Sequence, residues 1–307
     1  MNPHHDGVQG LVAAQASLGE CALWCERSQS LLWTDIDRGL LSRWHAAHGQ
    51  VQTWTLPKPL GSFVLCETPD RLLLGLARGL AFFDLATGEL GPVQPLPDGA
   101  WKTRDARLND GRCDPQGRYV FGLFNPHGEA TGDFWRVDHR LQPERLPLPP
   151  AQVANALSFS PDGHWLYFTD SPSRCIQRAR YDADGRVGPP QPWLQLASDD
   201  GEPDGATVDA EGRLWVALWG AASLLCVAPH GQVLQRWPLP VSHPTCPVFG
   251  GPGLDRLMLT SARKALAGEA LAREPLAGDV LTWVPRLPGG GRVRGLPPHR
   301  FADVPRA

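Results

Sequence analysis

Short apolar runs rich in Val, Leu, Phe, Trp and Tyr, parted by Gly, Pro and Asp turns, fill almost the whole chain. This pattern predicts antiparallel β-structure, because aromatic and β-branched side chains suit a pleated surface and the turn residues let a strand reverse. Helical periodicity is nearly absent. The best candidate spans Ala262 to Arg273, and Gly268 interrupts it. Proline is frequent, at 31 residues, but concentrates between the runs. The stretches Pro143 to Pro150 and Pro189 to Pro192 therefore read as loops, where no ladder donor is lost.

The runs repeat. They centre near Trp33, Leu73, Val120, Tyr167, Trp215 and Met258, at intervals of roughly 40 to 48 residues. That is the length of one four-stranded propeller blade. Several are introduced by a Gly turn: Asp114-Pro-Gln-Gly117, Ser160-Pro-Asp-Gly163 and Asp209-Ala-Glu-Gly212. Six units predict a six-bladed, all-β propeller; a β-sandwich competes, but it does not require one long period kept along the chain. No domain boundary stands out, so residues 1–307 read as a single propeller, with a repeating core at about 17–284 and peripheral ends.

Composition narrows the function. The net charge of −3 gives no electrostatic case for nucleic acid or an anionic membrane. No apolar run approaches the roughly 18 residues needed to span a bilayer. Met1 to Gly10 lack the basic start and apolar core of a signal peptide, so a cytoplasmic location is expected. The seven cysteines are irregularly spaced with no CxxC pair, and read as small apolar residues in strands. There is no Gly-x-Ser-x-Gly elbow and no HExxH. The oligomeric state is not legible.

Candidate chemistry emerges from the turns. Counting back eight residues from Ser28, Gly117, Gly163 and Gly212 reaches Glu20, Asn109, Asn155 and Asp204. Any one of these could be an ordinary turn former. Four oxygen-bearing side chains at one offset share a register position on the innermost strand, which in a propeller is the rim of the central channel. Carboxylate and amide oxygens are hard ligands suited to Ca²⁺, Mg²⁺ or Mn²⁺, and neighbouring carboxylates repel unless a cation neutralises them. Arg107, two residues before Asn109, shares its strand face and could grip a substrate oxygen. His127 is the one histidine near a channel loop, a candidate substrate contact.

The residues that carry this ring also carry a resemblance. Gly19-Glu20-Cys-Ala-Leu-Trp24, Arg107-Leu-Asn-Asp-Gly111, Asn155-Ala-Leu-Ser-Phe-Ser-Pro-Asp-Gly163 with Thr169-Asp-Ser171, Pro203-Asp-Gly205 and Phe249-Gly-Gly251 run in order along the chain. Together they resemble the SMP-30/gluconolactonase/LRE family, which includes regucalcin. The resemblance implies a six-bladed propeller and lactone hydrolysis. It implies one divalent metal, Ca²⁺ first and Zn²⁺, Mn²⁺ or Mg²⁺ as alternatives, on Glu20, Asn155 and Asp204, with Arg107 and Asn109 at the substrate. Two departures stand out. The family opening usually reads Gly-Glu-Gly-Pro, where this chain has Cys21 and Ala22. An acidic substrate contact found in some members is not evident, and Asn125, His127 and Glu129 fill that stretch.

The expected reaction is opening of a sugar lactone to its aldonic acid, with Asp204 as general base as well as ligand. Two other readings use the same ring: a calcium-dependent phosphotriester hydrolase, and a calcium-binding regulator without catalysis. Arg107 favours an enzyme, since a pure calcium site has no use for a cation beside the metal.

Overall fold

The computed structural model describes residues 7–304. Six four-stranded antiparallel sheets account for the named strands. The six apolar runs are the second strands of the six blades: Ser30–Asp35, Arg71–Leu76, Tyr119–Phe124, Trp165–Asp170, Leu214–Trp219 and Arg256–Ser261. They are almost wholly buried, because each is covered on both faces by the adjoining blades. That is why they read as continuous apolar runs and not as alternation. The innermost strands pack side by side around a ring that closes between blades 6 and 1.

Contacts between blades are specific. Trp215 of blade 5 lies against Trp237 at 4.9 Å and meets Phe249 of blade 6 edge-on at 5.4 Å. Tyr119 of blade 3 and Ser62 of blade 2 share a 2.7 Å hydroxyl hydrogen bond. The Gly turns behave as their composition predicts: Asp114 Oδ1 accepts the main-chain N–H groups of Gln116 and Arg118, while Gly117 takes φ +83°.

Two features depart from the sequence reading. The helix covers only Gly268–Arg273, so Gly268 opens it and does not interrupt it. Both Pro-rich stretches overlap outermost strands, Pro143–Arg145 and Gln191–Gln195. An outermost strand has a free side, so a missing N–H there breaks no ladder bond.

The first and last described segments join the ring. Gln9–Val12 is the outermost strand of blade 6, paired to Val280–Trp283. Residues 293–303 run across the base of the propeller. Phe301, fully buried, donates its N–H to Leu65 O at 2.8 Å, and the Ala302 N–H reaches Gly117 O at 2.9 Å. Buried Arg300 donates to Glu26 Oε2 at 2.9 Å and to Cys66 O at 3.2 Å. This strap therefore ties blades 1, 2 and 3 together from below.

Candidate active site

Every innermost strand changes register once near its upper end, between Glu20 and Leu23 in blade 1 and at matching places in the other five. Such bulges unpair a residue and re-aim its side chain. Glu20 and Asn155 stand just before their bulges; Asn109 and Asp204 lie within theirs. All four thereby turn into the channel. Gly205, beside Asp204, fits here because a Cβ would lie 2.8 Å from Thr245 O of the next blade. Cys21 and Ala156 follow Glu20 and Asn155 at φ +50° and +56°, a conformation that favours glycine. The departure from the family's Gly-Glu-Gly-Pro opening therefore puts a side chain on strained backbone. In compensation, Cys21 Sγ accepts the Phe63 N–H at 3.2 Å and lies 3.3 Å from Phe63 O.

A cavity of about 190 Å³ opens over this ring, lined by Glu20, Arg107, Asn109, Asn155, Ser171 and Asp204 at the floor. Leu18, Phe124, Val153 and Trp219 form apolar walls, with Glu202 and Lys264 toward the mouth. Five of the six expected site residues thus meet. His127 does not line the cavity: it is exposed, and its Nε2 lies 3.5 Å from Asp105.

The floor is a connected network. Asn109 Nδ2 donates to Ala154 O and to Asn155 Oδ1, both at 2.9 Å. Arg107 Nη1 donates to Asn109 Oδ1 and, at 2.9 Å, to Leu108 O. Its guanidinium lies 4.5 Å from the centre of the Phe124 ring. Asn155 Nδ2 donates to Ser171 Oγ at 3.0 Å, and that hydroxyl donates to Pro203 O at 2.7 Å. Both N–H bonds of Asn109 are thus spent on protein, which makes it the link between Arg107 and Asn155. The remaining N–H groups of Arg107 have no protein acceptor among the described residues and stay available to a ligand.

The sequence reading missed three members. Asp110 lies below the ring, where Oδ2 accepts the Leu157 N–H and Oδ1 the Gly111 N–H, each at 2.8 Å. Arg112 crosses the channel beneath it, donating to Ala206 O at 2.7 Å and to Leu157 O at 3.4 Å. Below Arg112 lies a separate cavity of about 70 Å³, partly walled by Leu296 to His299 of the strap. The third is Ser171, whose signal was present in the Thr169-Asp-Ser171 segment. Asp110 had none beyond a sequence, Asn-Asp-Gly, that spells a turn.

Electrostatics point to a cation. Burial, and next the charge of Asp110, pushes Glu20 from 4.5 up to about 8. Burial, and next the charge of Glu20, holds Asp204 well above the carboxylate range. Each carboxyl raises the cost of ionising the other, and two buried ionised carboxylates are tolerated side by side only around a proton or a cation. Asp204 Oδ1 is buried without a hydrogen-bond partner, a costly state for an isolated oxygen. No three His, Cys, Asp or Glu side chains come together as a metal cluster among the described residues. A cation here would take two carboxylates with amide oxygen, the donor set of a hard divalent ion. Burial also lowers Arg107, to about 10, so it stays charged at neutral pH.

Fold and site together define a six-bladed propeller with an acidic, arginine-flanked well in its channel. Residues 18–263 match the family model described as SMP-30/gluconolactonase/LRE-like region, and the chain belongs to that family. It is 40% identical to an L-arabinolactonase of Azospirillum brasilense, over 99% of this chain and 98% of that protein. It is 38% identical to a 6-deoxy-6-sulfogluconolactonase of Pseudomonas putida, over 93% and 97%. Among solved structures, a calcium-binding protein, regucalcin, from Agrobacterium tumefaciens superposes with a TM-score of 0.87 at 27% identity, covering 96% of this chain and 97% of that one.

Proposed function

We propose that the protein is a lactonase that opens a sugar lactone to its aldonic acid with the help of one divalent cation, calcium by preference. The observation that carries this reading is the unpartnered Asp204 oxygen beside Glu20, on a cavity floor that also presents Arg107. The names of two close relatives, both sugar lactonases, support the substrate class.

Glu20, Asn155 and Asp204 would hold the ion. When bound, it supplies charge compensation for the two carboxylates and Lewis-acid polarisation of the lactone carbonyl. Asp204 takes a proton from the attacking water as its oxygen bonds to the carbonyl carbon. The ring C–O bond then breaks, and Asp204 returns the proton to the departing alkoxide. Arg107, clamped by Asn109 and lying over Phe124, offers its free N–H groups to substrate oxygen. Asn109 acts by positioning, because its donors are already engaged.

The test is a panel of aldonolactones and one phosphotriester, assayed with calcium and with a chelator. Lactone turnover that chelation removes, and that Asp204→Ala loses together with calcium binding by calorimetry, is the expected result. Full lactonase activity in Asp204→Ala overturns the reading. Preference for the phosphotriester would mark the protein as the phosphotriester hydrolase instead, and calcium binding with no turnover would mark it as a regulator.

A further inference from the structure

The hydrogen bonds of the cavity floor run in one direction across three blades. They lead from Arg107 through Asn109 and Asn155 to Ser171, and end on the carbonyl of Pro203. A guanidinium only donates and a peptide carbonyl only accepts, so both ends are fixed and each bond between them has one allowed direction. Ser171 has a single hydroxyl proton, and it lies on Pro203 O at 2.7 Å. Toward Asn155 the hydroxyl can therefore only accept, which requires the amide nitrogen Nδ2 on that side, at 3.0 Å. Oδ1 of Asn155 is turned the other way, where the Asn109 amide takes one of its two lone pairs. The second lone pair is left for a cation.

Ser171 is itself anchored independently of this network. It is buried, 3% exposed, and its main-chain N–H donates to Val153 O at 3.0 Å. The neighbouring Asp170 carboxylate accepts the Gln152 and Val153 N–H groups at 2.9 and 3.0 Å, which pins the same turn to its blade. The hydroxyl thus has a set place between blades 4 and 5. Pro203 directly precedes Asp204 in the chain. One hydroxyl therefore both orients the proposed ligand of blade 4 and tethers the backbone that carries the proposed ligand of blade 5. From this geometry we infer that Ser171 is a positioning residue for the cation site, holding Asn155 with its oxygen turned away from Ser171 and tying it to Asp204 through Pro203 O. With its proton already given to Pro203, it acts through these neighbours. The inference rests on the reading that a divalent cation is held by Glu20, Asn155 and Asp204, and it adds the residue that sets two of those three in register.

Calcium affinity of the full chain, read by calorimetry, provides the test. Ser171→Ala deletes the hydroxyl and leaves Asn155 Nδ2 and Pro203 O without this partner. Its calcium Kd is expected to rise about ten-fold, the effect of losing a group that orients a metal ligand. Ser171→Thr keeps the hydroxyl and should return the Kd to within about two-fold of the unaltered protein, a rescue that a loss of packing alone does not give. Should Ser171→Ala not fold, Ser171→Cys fills the same place with a poor donor and acceptor and carries the same expectation. Unchanged calcium affinity in Ser171→Ala or Ser171→Cys, or a loss that Ser171→Thr shares in full, overturns the positioning role and leaves the cation reading standing. An unaltered protein that binds no calcium overturns both.

Discussion

The side-chain amide of Asn109 donates a 2.9 Å hydrogen bond to Oδ1 of Asn155, joining blade 3 to blade 4 across the channel rim. The same residue accepts from Arg107, so one amide orients both the proposed ligand and the proposed substrate-binding cation. Asn109→Ala frees both at once. We expect kcat/KM to fall about a hundred-fold and calcium affinity about ten-fold, the usual range when a residue that supports a metal ligand is lost. Calorimetry checks the second effect, and unchanged calcium affinity would show that Asn155 is held by other means.

Removing the metal should expose the acid pair. Glu20 ionises near 4.5 when unfolded and near 8 when folded, so between these values the folded protein binds the extra proton. Stability of the metal-free protein therefore falls as pH rises from about 4.5 to about 8, and Asp204, also held well above the carboxylate range, adds to the fall. Calcium should flatten that slope, because it replaces the proton between Glu20 and Asp204. Thermal melts across this range, with calcium and with chelator, read the difference directly.

Cys21 offers a reversed order of substitutions. At φ +50°, alanine keeps the strain and loses both Phe63 contacts, leaving a buried N–H without a partner. Glycine loses the same contacts but relieves about 1 kcal/mol of backbone strain. Cys21→Ala should cost about 2 kcal/mol and Cys21→Gly about 1 kcal/mol. Denaturant titration decides it; equal losses would mean the backbone is unstrained there.

Phe301 tests the strap. The ring is fully buried against blades 2 and 3 and lies below the cavity, at the opposite end of the channel. Phe301→Ala should cost about 3–5 kcal/mol, as for other large-to-small core changes, with KM unaltered at temperatures where the variant is folded. A changed KM would show that the base communicates with the floor.

What the sequence made legible follows from burial. The second strands are enclosed between blades, so all six appear as apolar runs. Outermost strands such as Val51–Thr55 and Gln191–Gln195 are mostly exposed and carry no such signal. The ring was legible because its four residues keep one offset from each turn, although the bulges themselves shift by one residue between blades. Asp110 was not, since its spelling is that of a turn and only the bulge sends its carboxylate toward Leu157. His127 was placed by loop position alone, and the loop carries it outward to Asp105. The mouth was hidden for another reason: Glu202 and Lys264 belong to different blades and share no spacing.

Among the described residues Arg112 crosses the channel between the ring and the base, and so it parts the upper well from the cavity below. Lactone and acid must pass the same threshold in turn, and each product molecule blocks the next substrate until it has gone. Ring opening converts a neutral guest into an anion deep in the well.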